Sequence, residues 1–173
     1  VDGLVVEGGE GGGFKNPRDV STMVLLPLVR SQVDVPIIAA GGFIDGATMA
    51  AAFALGAEAV QMGTRMVSSL ESPVHDNWKN SIVNAAETDT VFLNRAHSPA
   101  LRALRTEKTS RLEFETETNA MTEFGTALDL YFGGDMEASI ALTGQVCGRI
   151  DAVRPVAEII AEVRHEFFQV IGE

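Results

Sequence analysis

VPIIAAGGFIDGATMAAAFALGAEAVQMGTR, residues 35–65, contains two short apolar runs that end in glycine and enclose an alanine-rich segment. The two runs, residues 35–42 and 57–65, each predict a short buried strand, and the segment between them predicts a helix. Asp45 is placed to cap that helix, and Gly56 is placed to end it. Apolar strands that alternate with helices are typical of a parallel sheet covered on both faces.

The same pattern starts at the beginning of the chain. Residues 3–6 predict a strand, residues 7–13 hold five glycines and two glutamates, and residues 20–33 predict a helix. Three such β/α units are compatible with two architectures, a doubly wound sheet and a closed (β/α)₈ barrel. The glycine-rich loop does not lead straight into a helix, as a dinucleotide-binding GxGxxG loop does. This difference favours the barrel.

A complete barrel would need about five more β/α units upstream. Val1 already lies at the edge of a strand pattern and is not an initiator methionine. We therefore expect the chain to be the C-terminal portion of a longer protein. An open parallel sheet with an apolar face needs a cover. We expect that cover to be an N-terminal barrel segment, a partner chain or a second copy.

The pattern changes after residue 72. The sequence predicts a helix at 72–86, with Pro73 in its first turn, and a strand at 90–96. It then predicts a polar helix at 101–115. From 119 to 173 it predicts helices that are broken at 132–135 and near Gly148. We therefore predict an α/β chain: the C-terminal part of a TIM (β/α)₈ barrel over residues 1–110, then a mostly helical subdomain over residues 111–173.

Composition and charge exclude several classes of partner. The 173 residues are 46% hydrophobic and 21% charged, as in a soluble globular protein, and no apolar run is long enough to span a membrane. The net charge of −11 argues against a nucleic-acid partner. One basic cluster, interpreted as a solvated helix face, comprises Arg95, Arg102, Arg105, Lys108 and Arg111. Because Cys147 is the sole cysteine, we expect no disulfide framework and a cytoplasmic location.

Three loops follow the predicted parallel strands, at residues 7–14, 41–45 and 62–65. The carboxyl ends of parallel strands meet at one edge of a sheet, where ligands of α/β folds bind. Two of these loops offer glycine N–H groups and a hydroxyl, which together can bind a phosphate without a lysine. The sequence therefore predicts a phosphate-containing ligand at this edge.

Four segments carry a family resemblance: VVEGGEGGGF, LLPLV, VPIIAAGGFIDGATMAAAFALGAEAVQMGTRMV and GDMEASIALTGQVCG. They resemble the C-terminal part of the FMN-dependent nitronate monooxygenases, formerly called 2-nitropropane dioxygenases. These enzymes are related to the FMN-dependent enoyl-ACP reductases. The resemblance implies a TIM barrel with a helical second domain, non-covalent FMN and a small-molecule substrate.

The resemblance also implies roles for individual residues. The positions that match the FMN phosphate and ribityl contacts are Gly41, Gly42, Met62, Gly63 and Thr64. Gly13 matches a glycine beside the flavin, and Glu7 matches an acidic position at the end of its strand. Residues 143–145 match a segment that returns toward the active site.

One departure from the family concerns catalysis. Relatives commonly carry histidine where this chain has Phe14, and phenylalanine can neither accept nor donate a proton. Phe14 offers an apolar face to a substrate or to the isoalloxazine. The catalytic residues are therefore left unassigned. The three histidines and Cys147 are interpreted as packing or surface residues, and Asp45 as a helix cap.

Three functions are compatible with these observations. The first is oxidation of alkyl nitronates by FMN and oxygen, which needs no base because the substrate is already ionised. The second is an NAD(P)H-dependent enoyl-ACP reductase. The third is a flavin-binding module with little activity of its own, an alternative that Phe14 favours.

Overall fold

This computed structural model describes residues 1–172, which contain two three-stranded sheets and six α-helices. The strands are β1 (Leu4–Glu7), β2 (Gly13–Lys15), β3 (Ile37–Ala40), β4 (Ala59–Gln61), β5 (Thr90–Leu93) and β6 (Ala100–Leu104). The helices are α1 (Thr22–Arg30), α2 (Gly46–Ala54), α3 (Thr64–Val67), α4 (Asp76–Val83), α5 (Glu107–Phe114) and α6 (Val156–Ile171). No helix within residues 1–172 is both long enough and apolar enough to cross a membrane.

The first sheet is parallel, with the strand order β1-β3-β4. Its strands and the helices α1 and α2 confirm the β/α units predicted from the sequence. Asp45 caps α2 as expected, since its carboxylate accepts a hydrogen bond from the Thr48 N–H at 2.8 Å. Gly56 follows the end of α2 with a φ of 97°, a conformation that favours glycine.

The two faces of the parallel sheet differ in burial. On one face, Val6 and Ile37 pack against Leu26 of α1, which is completely buried. On the other face, Val5 and Ile38 are 54% and 38% exposed. The described residues therefore leave part of an apolar sheet face open. Closure of this sheet into a barrel remains a prediction.

The second sheet is antiparallel, with the order β2-β6-β5. The predicted strand at 90–96 is confirmed as β5, but the predicted helix at 101–115 is wrong over its first residues. Those residues form β6, which is buried along its whole length, and the helix α5 begins only at Glu107. Thr106 caps α5 through its hydroxyl. Neighbouring strands on both sides hold β6 extended, which overrides its local helical pattern.

This strand also corrects the interpretation of the basic cluster. Arg102 lies in the centre of β6 and is only 7% exposed, so it is not on a solvated helix face. Its Nε donates a hydrogen bond to the carbonyl oxygen of Gly9, and its Nη1 donates to the Thr90 hydroxyl at 3.2 Å. Burial lowers the pKa of the Arg102 guanidinium.

The C-terminal region is less helical than the sequence pattern predicts. After α5 it contains one-turn helices at Ala120–Glu123, Asp129–Gly133 and Gln145–Arg149, irregular chain, and the long helix α6. Helix α6 packs on α2, where the rings of Phe53 and Phe167 lie 5.0 Å apart. The division at residue 110 remains a prediction, and α5 spans that position.

Helix α4 begins later than expected. His75 caps it and Asp76 is its first residue, so Pro73 precedes the helix instead of lying in its first turn. The side chain of Trp78 is buried among residues from several elements, including Leu130 and Ile150. Its indole Nε1 donates a hydrogen bond to the Thr143 hydroxyl at 3.2 Å, which ties α4 to the segment that precedes residue 144.

Packing of α1 on the parallel sheet should contribute strongly to stability. Replacing buried Leu26 with alanine is expected to lower the free energy of unfolding by about 2–5 kcal/mol, because it removes buried methyl groups and leaves a cavity. Leu28 on the same helix is 51% exposed, so Leu28→Ala should change stability by about 0.5 kcal/mol or less. Chemical denaturation of both variants measures the difference, and equal losses would contradict this packing.

Candidate active site

A cleft of about 250 Å³ lies at the carboxyl ends of β1, β3 and β4. The predicted site residues among its lining are Glu7, Gly13, Gly41, Gly42, Gly63 and Thr64. These residues lie in three loops that are far apart along the chain, and the parallel sheet brings the three loops to one edge. Phe43, Leu142 and Val146 add apolar surface to the cleft wall.

Two residues singled out from the sequence do not line this cleft. The side chain of Met62 packs against the apolar cluster between the parallel sheet and its helices. Phe14 is 55% exposed, and its ring stacks on that of Phe124 with the centroids 6.1 Å apart. A role for Met62 in the cleft is therefore restricted to its backbone.

Three glycines leave space open above the cleft floor. A Cβ atom at Gly13 or Gly63 would meet no atom within 4 Å, and one at Gly42 would meet only the Glu10 side chain, at 3.8 Å. Gly42 has a φ of 95°, which glycine adopts at little cost. Among the described residues, none accepts a hydrogen bond from the N–H groups of Gly42 and Gly63. We call Gly13, Gly42 and Gly63 the cradle, since they combine open space with two N–H groups from which no described residue accepts a hydrogen bond.

Gly12 has the opposite role, because it makes room for another part of the chain. A Cβ atom there would lie 2.6 Å from the Thr143 carbonyl carbon and 2.7 Å from the Gly144 nitrogen. The segment 143–145 thus crosses directly over the glycine-rich loop. Gly144 lines the cleft, and the Gln145 N–H donates to the Glu10 carbonyl at 2.9 Å.

Thr64 is the hydroxyl residue of the cleft edge. It is buried, and its Oγ1 accepts a hydrogen bond from the Gly144 N–H at 2.8 Å. Within residues 1–172, no acceptor takes the hydrogen of this hydroxyl. The contact fixes the oxygen while leaving its O–H free to donate to a ligand in the cleft.

Sequence reasoning missed two groups that hold the glycine-rich loop. The Glu10 carboxylate accepts hydrogen bonds from the Thr22 N–H at 3.0 Å and from its hydroxyl at 2.9 Å. It therefore caps the first turn of α1 from the loop. Arg102 holds the Gly9 carbonyl from the antiparallel sheet. Both contacts join residues far apart in sequence, so no local spacing could have revealed them.

The remaining titratable candidates lie outside the cleft lining. Burial opposes ionisation of Asp45, but hydrogen bonds from Thr48 and the nearby Arg149 guanidinium outweigh it and lower the pKa of Asp45. This supports its role as a helix cap. Burial raises the pKa of the Cys147 thiol, consistent with packing. No group of three or more potential metal-ligating side chains occurs in the described part of the chain.

Comparison with known proteins identifies relatives of two kinds. A (3aS,4S,5R,7aS)-5-hydroxy-7a-methyl-1-oxo-octahydro-1H-indene-4-carboxyl-CoA dehydrogenase from Rhodococcus jostii is 43% identical over 113 residues, which is 65% of this chain and 31% of that protein. A probable nitronate monooxygenase from Staphylococcus aureus is 40% identical over 100 residues, covering 53% of this chain and 28% of the relative. The matches thus span less than a third of these relatives.

The fold also has similar solved structures. FabK from Thermotoga maritima superposes with a TM-score of 0.92 at 41% identity and covers 99% of this chain and 56% of its own. A nitroalkane oxidase from Streptomyces ansochromogenes shares the fold with a TM-score of 0.79 at 22% identity. The family model described as nitronate monooxygenase matches residues 1–166. The chain therefore belongs to the nitronate monooxygenase family of oxidoreductases.

Proposed function

We propose that this chain forms the FMN-binding part of an oxidoreductase that oxidises alkyl nitronates with oxygen. The observation that carries the proposal is the cradle at the carboxyl edge of the parallel sheet, where Gly13, Gly42 and Gly63 have free space above them. Such an edge is where α/β folds bind ligands. The three strands would then be consecutive strands of a (β/α)₈ barrel.

The donors present fit the phosphate of FMN. Free N–H groups at Gly42 and Gly63 and the free O–H of Thr64 can each donate to a phosphate oxygen. The backbone at Gly41 and Met62 supports these two loops, while Gly13 and Glu7 would lie along the rest of the cofactor. Bound flavin supplies the electron-transfer chemistry, and the chain supplies position and electrostatics.

Phe14 favours a substrate that arrives already ionised. Its side chain accepts no proton, and it lies outside the cleft lining. Oxidation of a neutral nitroalkane requires removal of a proton from carbon, whereas a nitronate has already lost that proton. The residues of this cleft therefore suit nitronates better than neutral nitroalkanes.

A thioester substrate is the second candidate. The relatives that favour it are FabK, with a TM-score of 0.92, and the carboxyl-CoA dehydrogenase from Rhodococcus jostii. In this alternative, NAD(P)H would reduce the flavin, which would then pass hydride to an enoyl thioester. The apolar cleft residues Phe43, Leu142 and Val146 are compatible with an acyl chain.

Filling the cradle should weaken FMN binding without disturbing the fold. Gly63→Val is expected to weaken FMN binding by at least about tenfold, because its side chain enters the free space beside the donor N–H. A Cβ at Gly63 meets no described atom within 4 Å, so the melting temperature should not change. Flavin fluorescence quenching measures the affinity. Gly133→Ala, outside the cleft, is the control, and unchanged FMN affinity in Gly63→Val would contradict the cradle.

The substrate proposal predicts a large preference for the ionised form. Oxygen consumption with an alkyl nitronate should exceed that with the neutral nitroalkane by about 10² or more, the usual contribution of a general base. Equal rates for the two forms would rule out this explanation of Phe14. FMN that is retained without any turnover would instead support a flavin-binding module.

An anaerobic titration separates the nitronate and thioester candidates. If the protein is an enoyl-thioester reductase, NADPH or NADH should bleach the flavin absorbance, and an enoyl thioester should restore it. For a nitronate monooxygenase, we expect no bleaching by either nucleotide and direct reduction by nitronate. Absorbance near the flavin maximum reports both reactions.

A further inference from the structure

A buried lysine lies beneath the glycine-rich loop, one residue after Phe14. The side chain of Lys15 is 5% exposed, and its Nζ lies 2.8 Å from Oε2 of Glu7. No carbonyl or hydroxyl among the described residues accepts a hydrogen bond from this ammonium. Glu7 is therefore the group that compensates the charge of Lys15.

Strand alternation explains why Lys15 and Phe14 have different surroundings. Successive side chains of a strand point to opposite faces, and both residues belong to β2. Phe14 is 55% exposed, whereas Lys15 is buried. On β2 the charged residue Lys15 therefore points inward, and the apolar residue Phe14 points toward solvent.

Gly11 provides the space for the ion pair. A Cβ atom at this position would lie 2.7 Å from Nζ of Lys15 and 2.8 Å from Cδ of Glu7. Both Gly11 and Glu7 line the cleft. The ion pair therefore lies directly behind the cleft wall, with the Glu7 carboxylate on the cleft side.

The charges around the cleft indicate how the Glu7–Lys15 pair would affect an anion bound there. Two carboxylates, those of Glu7 and Glu10, line the cleft. Glu10 is engaged by the N–H and hydroxyl of Thr22. An uncompensated Glu7 would repel an anion in the same cleft, and solvent would screen this repulsion only in part because the Glu7 side chain is 37% exposed. Lys15 removes that repulsion.

We propose that Lys15 is a positioning residue that neutralises Glu7 and so allows this cleft to bind an anionic ligand. The inference rests on the proposed FMN site and names a determinant of its preference for a phosphorylated flavin. Lys15 acts through Glu7, since its own ammonium is buried behind the cleft wall. The Glu7–Lys15 pair, rather than residue 14, then provides the polar group on this side of the site.

The test compares FMN with riboflavin, which lacks the phosphate and is neutral. The measured quantity is the ratio of the riboflavin dissociation constant to the FMN dissociation constant, obtained by fluorescence quenching. Lys15→Met should lower this ratio about tenfold, because Glu7 is left as an uncompensated negative charge. Glu7→Gln should raise the ratio. The double variant, Glu7→Gln with Lys15→Met, should return it to within about threefold of the original value.

A matched control is available in a second buried lysine. Lys79 is 5% exposed and pairs with Asp76 at 3.6 Å, but it does not line the cleft. Lys79→Met should leave the ratio unchanged even if it lowers the melting temperature. If Lys15→Met does not fold, the sign of the change in Glu7→Gln decides the question.

The result that would overturn the inference is a ratio that does not respond to the charge of the pair. An unchanged ratio in Lys15→Met, or a fall in Glu7→Gln, would show that the pair has a structural role alone. Such a role would weaken FMN and riboflavin equally. If the ratio does not respond to these substitutions but the unsubstituted protein binds FMN, the inference about Lys15 fails and the proposed function stands. If it binds no FMN, the proposed function fails first.

Discussion

The glycine-rich loop between β1 and β2 is held in place by contacts from three distant parts of the chain, and the cleft depends on this loop. Glycines lose much conformational entropy when they are ordered, so a loop with four of them within residues 8–12 needs strong anchors. Glu10 binds the N-terminal end of α1, Arg102 binds the Gly9 carbonyl, and residues 143–145 cross over Gly12. Each anchor comes from a different structural layer. The loop therefore joins the parallel sheet, the antiparallel sheet and the C-terminal region.

The sequence predicted the parallel β/α units because their signals are local. Apolar runs, the Asp45 cap and the terminating Gly56 all act within a few residues, and each lies where the pattern placed it. The strand β6 was missed for the opposite reason. Its leucines, alanines and Arg102 fit a helical period as well as a strand, and only pairing with β2 and β5 decides between them.

The site was predictable in part for a related reason. Glycines and Thr64 at the ends of parallel strands could be assigned to one sheet edge by topology, and the family resemblance selected among them. Neither route could find Glu10, Arg102 or Lys15 as contributors, because their contacts cross between elements. Met62 shows the converse limit. Its place in the loop after β4 was assigned from the resemblance, but its side chain packs against the apolar cluster behind the sheet.

The neighbouring positions 14 and 15 differ in how strongly the fold constrains them. Residue 14 is 55% exposed on β2, so a change of side chain there has little structural cost. Position 15 is constrained much more strongly, since Lys15, Glu7 and the missing side chain of Gly11 must fit together. Removing Glu7 would be costly because it leaves the buried Lys15 ammonium without a compensating charge. The side chain at residue 14 can therefore vary independently, whereas the Glu7–Lys15 pair is held in place by the packing around it.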